Sequence, residues 1–429
     1  MIRVVSTGDW HVTDGERLSD HRETLGKMVA AASAERPDAW LVGGDLYGTT
    51  VPHRSTPAER RVLFPAIVRM ASVAPVVIVA GNHDHPADLM GLAHLAGDYP
   101  IHVVSDLSDP SEFVVSIPTR TGAALSVYCL PYPSKKHLLR NESIRGVVEA
   151  QDRAQAALGS LLHAWTARIR QARAADPTGA HVGLMHIQIG GVETSGGEVL
   201  AGQEIELSRA QVEGAAFDFV SLHHIHKRQE AAHRAVYPGA PWRNDFAETD
   251  ERGYAVVDIG IGAGQAMDPD DFVYDDAGRH RVSVGFRATD CRPFLTLRYR
   301  WAATTDDGAP TWTVRPGAAE LASVAGAEVR MIVTIPEAHT ASCPWDDEVA
   351  RVAARAHRMK VERKTEPTLR VRAPGVAAAT TDPERAREFW RTVANPPTQP
   401  EQDEALMCLA DLSRDDETIA AEIRALGAA

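Results

Sequence analysis

Along the first half of the chain, short runs of uninterrupted apolar residues alternate with longer stretches that place an apolar residue every third or fourth position. Arg3–Ser6, Ala39–Gly43 and Val76–Ala80 are short and aliphatic, the pattern of strands covered on both faces. Leu18–Ala34 and Pro57–Ser72 carry helical periodicity between them. Strands alternating with helices predict a layered α/β core. From Ile101 to Pro131 the pattern turns strand-rich, a long helix is expected from about Ile144 to Ala174, and short strands return at His181–Met185, Phe217–Leu222 and Tyr254–Ile259.

The stretch IGAGQAMDPDDFVYDDAGRH, Ile261–His280, offers few buried-looking positions and reads as a linker or edge excursion. Beyond it, strands are expected at Pro293–Tyr299, Val329–Ile335 and Thr368–Arg372, with a helix at Asp346–Arg358. After the Ala-rich APGVAAATT, Asp382 is placed to cap a helix with Pro383 at its first position, and PPTQP separates that helix from a second. The expected domains are therefore 1–262, an α/β core; 280–375, a small α+β unit; and 382–429, a helical segment.

Polar residues gather where the predicted strands stop. Asp9 and His11 follow the first strand, Asp45 the second, and Asn82, His83, Asp84 and His85 the third, while His186 and the run His223, His224, Ile225, His226 end two later strands. Taken singly, an Asp-x-His is weak, a Gly-Asp is a turn, and a buried histidine is a hydrogen-bonded core residue. Five strand ends carrying such groups together are poorly explained by turns, and open α/β sheets place their sites at the carboxyl ends of strands.

Composition narrows the chemistry. The four cysteines among 429 residues, Cys129, Cys291, Cys343 and Cys408, show no CxxC spacing, so thiolate metal or redox sites are not expected. A reducing, cytoplasmic setting fits, and no segment has the length and apolarity of a membrane span or signal sequence. The net charge of -13 argues against indiscriminate coating of nucleic acid but not against a local basic surface.

The motifs GDWH, GGDLY, GNHDHP, MHIQIGGVETSGGE and HHIHKRQ, followed by YPGAPWRNDFAE, resemble in order and content the calcineurin-like metallophosphoesterases, most closely the SbcD nuclease family. The resemblance implies a four-layer metallophosphoesterase β-sandwich core flanked by helices, with a small α+β cap domain and a C-terminal helical segment. It implies that Asp9, His11 and His226 hold one divalent cation, Asn82, His186 and His224 a second, and that Asp45 bridges them. Two cations roughly 3.5–4 Å apart suit in-line displacement at a phosphodiester. His83 matches the family position that assists the leaving oxygen, and Asp84 is expected behind the ligands, holding them in place. Imidazole, carboxylate and amide donors without thiolate suit manganese, iron or zinc; an oxygen-rich octahedral pair with open water positions favours manganese, to which the resemblance also points. Two departures stand out: His223 replaces the glycine of the family's Gly-His-x-His, and Tyr47 replaces a common phenylalanine.

Phosphoester hydrolysis alone leaves the substrate open. The basic segment Arg351–Arg372, with Arg358, Lys360, Arg363 and Lys364, and the group Lys227, Arg228 and Arg243 after the last histidine motif are candidate DNA contacts. The expected activity is exonuclease and endonuclease cleavage at DNA ends in repair or recombination. A phosphoesterase for a small phosphomonoester or cyclic nucleotide is the alternative, and a non-catalytic scaffold with a degenerate site is a third. The resemblance further implies an SbcC-like ATPase partner bound by the C-terminal helices, within a heterotetramer containing an SbcD homodimer.

Overall fold

The computed structural model describes residues 1–48, 54–107, 113–133, 147–194, 205–260, 271–302, 309–367, 374–393 and 395–412. Two compact units are present. The first comprises Met1–Leu297, Pro316–Met331 and Asp346–Glu362; the second comprises Arg298–Arg315, Ile332–Trp345 and Arg363–Ala429.

In the first unit, one sheet of seven strands runs Phe272–Tyr274, Val282–Ala288, Gly253–Ile259, Ile2–Thr7, Ala39–Val42, Val76–Val79 and Ile101–Val104 from edge to edge. The last four are mutually parallel, with Val4 opposite Ala39 and Val42 opposite Ile78. Because side chains alternate faces along a strand, each strand feeds two cores. Val4, Leu41, Val77 and Val79 share a core with Val127, Val182 and Leu184 of the second sheet. Val5, Trp40, Val42, Val76 and Ile78 pack instead with Leu25 and Met28 of the helix Leu18–Ala34 and with Leu63 and Ile67 of the helix Pro57–Ala71. The start of Pro57–Ala71 is fixed by sequence: Thr56 accepts from the Glu59 backbone N–H, Glu59 accepts from that of Thr56, and Pro57 lies in the first turn.

The second sheet has six strands in the order Gln229–Ala232, Ala235–Tyr237, Phe219–His223, Ala180–His186, Ala124–Leu130 and Val114–Pro118. The long helix Val147–Ala175 buries Leu158, Leu162, Trp165 and Ile169 on it, with Trp165 meeting Tyr128 edge-on at 5.7 Å between ring centres. Helices, sheet, sheet and helix thus form a mixed α/β sandwich. The parallel register sets His223 opposite His186, so both reach the same carboxyl end.

A separate four-stranded sheet runs Thr311–Val314, Phe294–Ala302, Glu328–Pro336 and Arg358–Glu366. Two short helices, Asp382–Trp390 and Gln399–Leu412, follow near the C-terminus. Among the described residues, no helix is long and apolar enough to cross a membrane.

Several expectations need correction. In the stretch read as linker or edge excursion, Phe272–Tyr274 is an edge strand, pairing antiparallel with a further strand not expected from the sequence, Val282–Ala288, which itself pairs antiparallel with Gly253–Ile259. The shortness of Phe272–Tyr274 suits an edge, and the mixed polarity of Val282–Ala288 hides it from a search for buried runs. The other half of that stretch, 261–270, lies outside the described residues, as does the strand expected at 368–372. The helix expected over Asp346–Arg358 spans Trp345–Ala353, and Arg358–Glu366 is a strand in which Met359 and Val361 alternate with long charged side chains. Thr381, rather than Asp382, caps its helix, accepting from Glu384 N–H while Glu384 accepts from Thr381 N–H.

Candidate metal centre

The loops at the carboxyl ends of the strands are held in unusual backbone shapes. Asp9, His11, Asp45 and His224 have φ values of 52°, 46°, 50° and 102°, a region costly for side-chain-bearing residues at about 1–3 kcal/mol each. Backbone bonds impose this geometry: Asp9 N–H donates to Gly44 carbonyl at 2.8 Å, and His11 N–H to that of Asp45 at 2.8 Å. Gly44 of GGDLY and Gly81 of GNHDHP are sterically required. A Cβ on Gly44 would lie 2.4 Å from Gly81 N, and one on Gly81 would lie 2.0 Å from Asp45 Oδ1.

Asp84 ties two of these loops together. Its buried carboxylate accepts from the backbone N–H of Leu46 at 2.9 Å, Tyr47 at 3.3 Å and Gly81 at 2.9 Å. Burial first, and then the Asp45 charge, push its carboxyl up to about 7. Asp84→Ala leaves three buried donors without an acceptor and is expected to destabilise the chain by about 3 kcal/mol or more, measured by urea unfolding; a loss below about 1 kcal/mol would contradict this role.

Asp9, His11 and His226 bring ligand atoms within 4.8 Å of one another, and so do Asp45, His186 and His224. His11 Nε2 lies 3.0 Å from His226 Nε2, and Asn82 Oδ1 lies 3.1 Å from both His186 Nε2 and His224 Nδ1. Asp45 joins the two groups: its Oδ2 is 3.5 Å from His11 Nε2 and 3.5 Å from His186 Nε2. The positive φ of His224 turns the chain so that the two imidazoles of the HxH serve different groups. His83 enters a third trio with His11 and Asp45; its N–H donates to Asp45 Oδ1 at 2.8 Å and its ring stands edge-on to His11 at 4.6 Å.

The donor set fits divalent cations. His186 Nδ1–H donates to the Gly43 carbonyl at 2.6 Å and His226 Nδ1–H to Glu248 Oε1 at 2.7 Å, which leaves the Nε2 lone pair of each ring turned into the cluster. Asp9 Oδ2 is buried with no hydrogen-bond partner among the described residues. Burial brings the His11 imidazole down to about 4, against Asp45. Asp45 is held far below the usual carboxylate range: burial opposes its charge, but His186, His11 and His83 outweigh it. For His186, burial is likewise outweighed by Asp45, which pushes the imidazole up to about 9. A cation at this site competes with those protons.

A cleft of about 360 Å³ opens over these groups, lined by His11, Asp45, Asn82, His83, His224 and His226 together with Thr13, Arg17, Gly48 and Asn244. The calcineurin-like phosphoesterase family model matches residues 2–214, the stretch that supplies Asp9, His11, Asp45, Asn82, His83 and His186. The chain carries a calcineurin-like phosphoesterase domain. It is also similar to curated proteins. The SbcD component of the nuclease SbcCD of Bacillus subtilis is 26% identical over 277 residues, covering 59% of this chain and 64% of that protein. Its namesake from Rhodobacter capsulatus is 26% identical over 283 residues, covering 61% of this chain and 67% of that one. The match to the first therefore spans less than two thirds of that relative's length. Among solved structures, "GAP50 the anchor in the inner membrane complex of Plasmodium" aligns over 60% of this chain and 80% of that one at a TM-score of 0.34 and 13% identity, too distant to bear on the site.

The cluster also draws on residues that periodicity does not single out. Glu248, buried and the last residue of YPGAPWRNDFAE, orients His226 and accepts from Asn244 N–H at 2.7 Å. Arg17 brings a guanidinium to the cleft, donating to the Arg243 and Asn244 carbonyls. Tyr132 sets its ring 5.8 Å from that of His224. His85 takes a structural part, its Nδ1 accepting from Ala87 N–H at the start of the helix Pro86–Ala93.

Most of the candidate DNA contacts already have intramolecular partners. Lys227 pairs with Glu193 at 2.7 Å, Arg228 lies 4.1 Å over the Phe286 ring, and Arg243 donates to the Glu248 and Asp250 carbonyls. Arg358 pairs with Glu16 and Glu328, and Lys360 with Glu362. Arg363 lies 5.9 Å over Trp345, and Lys364 is exposed. In a further trio, Asp20, Glu328 and His357, both carboxylates are engaged by cations of the chain itself: Arg292 takes both Asp20 oxygens at 2.7 Å and Arg358 reaches Glu328 at 3.2 Å.

Proposed function

We propose that this chain is a metal-dependent DNA nuclease of the SbcD type, hydrolysing phosphodiester bonds as exonuclease and endonuclease at DNA ends in repair or recombination. The observation that carries the reading is the sharing of Asp45 between two histidine groups at the floor of an open cleft. Asp9, His11 and His226 would hold one cation, Asn82, His186 and His224 the other, with Asp45 between them. Manganese suits these donors. When bound, the pair supplies Lewis acidity at the phosphoryl oxygens and an activated water. His83, on the cleft wall, donates a proton to the leaving oxygen, and Arg17 offers positive charge to the phosphate.

The relatives named as nuclease components favour DNA over a small ester. Lys227, Arg228, Arg243, Arg358, Lys360, Arg363 and Lys364 are the proposed backbone contacts, exchanging their present partners for phosphates. A small phosphomonoester or cyclic nucleotide is the rival substrate. Purified chain with manganese, compared on linear duplex, single-stranded DNA and a chromogenic phosphodiester, decides between them. Turnover of the small ester with no DNA cleavage would overturn the nuclease reading.

The proposed partner is an SbcC-like ATPase, in a cytoplasmic heterotetramer built on a homodimer of this chain. The helices Asp382–Trp390 and Gln399–Leu412 expose Phe389 and Met407, 52% and 68% accessible. Large exposed apolar side chains of this kind anchor interfaces. A chain ending at Thr381 is expected to keep hydrolysing a chromogenic ester and to fail to co-purify with the ATPase. Undiminished capture of the ATPase would exclude the tail as its binding site.

A further inference from the structure

His223 stands where the family has glycine, and the structure gives it a built place. Its ring is fully buried at the end of Phe219–His223, and two glycines make the room. A Cβ on Gly43 would fall 1.9 Å from the ring, and one on Gly8 2.5 Å from Nδ1. The Nε2 side meets hydroxyls, Ser221 Oγ at 3.0 Å and Ser6 Oγ at 3.3 Å, which are themselves in contact with each other. The Nδ1 side faces Asp9 Oδ2 at 3.4 Å. Those two buried atoms have no hydrogen-bond partner among the described residues, while Asp9 Oδ1 already accepts from His224 N–H at 3.0 Å.

The tautomer follows from the surroundings. With a serine hydroxyl donating to Nε2, the ring proton sits on Nδ1 and points at the carboxylate; the opposite tautomer would press a bare lone pair against a buried oxygen. Among the described residues, His223 joins none of the trios whose ligand atoms converge, unlike His11 and His226.

We infer that His223 is a positioning residue that fixes the free oxygen of Asp9 from behind, through a buried Ser6–Ser221–His223–Asp9 chain, so that Asp9 meets its cation in one orientation. This rests on the metal-centre reading above. Outer partners of metal ligands commonly set affinity by roughly 10–100-fold.

Full-length wild type, His223→Asn and His223→Gln are titrated with manganese by calorimetry, with bound metal counted by elemental analysis. The Asn amide nitrogen takes the place of Nδ1 and the Gln amide that of Nε2. The expected result is wild-type-like affinity within a few-fold for His223→Asn, and a roughly 10–100-fold loss at one of two ions for His223→Gln. A ring that merely fills space would give equal losses in the two variants, and equal losses or none overturn the inference. If wild type itself binds no metal, the metal-centre reading fails instead. Should both variants unfold, the paired change Ser6→Ala with Ser221→Ala keeps the ring and removes the groups that set its tautomer. That chain is expected to lose affinity at the same ion, and unchanged affinity overturns the inference.

Discussion

Replacing Asp45 by alanine is expected to cost both cations and to reduce phosphodiester hydrolysis by orders of magnitude while leaving the far-UV spectrum intact. One oxygen of this side chain lies 3.5 Å from an imidazole of each histidine group, so a single substitution takes a donor from both sites. The other oxygen accepts from His83 N–H at 2.8 Å, and its loss also loosens the GNHD loop. Alanine at a φ of 50° adds local strain, so Asp45→Asn is the companion that keeps backbone preference and volume while removing the charge. Both are expected to bind less than one ion per chain by elemental analysis after dialysis. Two retained ions in either variant would remove Asp45 from its bridging place, whatever happened to the rate.

The sandwich was readable in the sequence to the extent that burial was two-sided. Val76–Val79 and Ala39–Val42 are apolar throughout because helices cover one face and a second sheet the other, and such runs announce themselves. Phe272–Tyr274 and Val282–Ala288 do not: the first is the three-residue edge of the sheet, and in the second polar side chains break the apolar run, Ser283 opposite Asp258 and Arg287 turned to Glu35. Arg358–Glu366 was hidden for a related reason. Its alternate apolar positions are only Met359 and Val361, and the long basic side chains between them imitate one face of a helix.

For the centre, sequence could supply what lies on strand ends and little else. Asp9, His11, Asp45, Asn82, His186, His224 and His226 come from the ends of five strands, yet share one end of the sandwich because parallel strands deliver their carboxyl ends together. Glu248 reaches His226 from a loop 22 residues on, a contact no periodicity encodes. The basic residues show the converse. A run of Lys and Arg reveals charge but not its partners, and in Arg358 or Lys227 much of that charge is already met by a glutamate. Exposed pairs of that kind contribute about 0–1 kcal/mol, so a phosphate can compete for them.

His83→Ala is expected to lower kcat by about 100- to 10,000-fold with both cations retained, the size of a deleted general acid. The geometry permits a different role, since the ring belongs to a trio with His11 and Asp45 whose ligand atoms lie within 4.8 Å. Metal content separates the two: a ligand leaves with its ion, whereas an acid does not. The leaving group supplies a second, independent separation. A nitrophenolate departs without help, so loss of a proton donor should hardly slow a nitrophenyl ester, while a deoxyribose alkoxide in DNA needs the proton and should bear the whole deficit. His83 lines the cleft with Nδ1 buried and without a hydrogen-bond partner among the described residues, a ring whose remaining edge is available to such an oxygen. Equal loss on both substrates with metals in place would assign His83 to orienting the phosphate, and loss of an ion in step with the rate would make it a ligand.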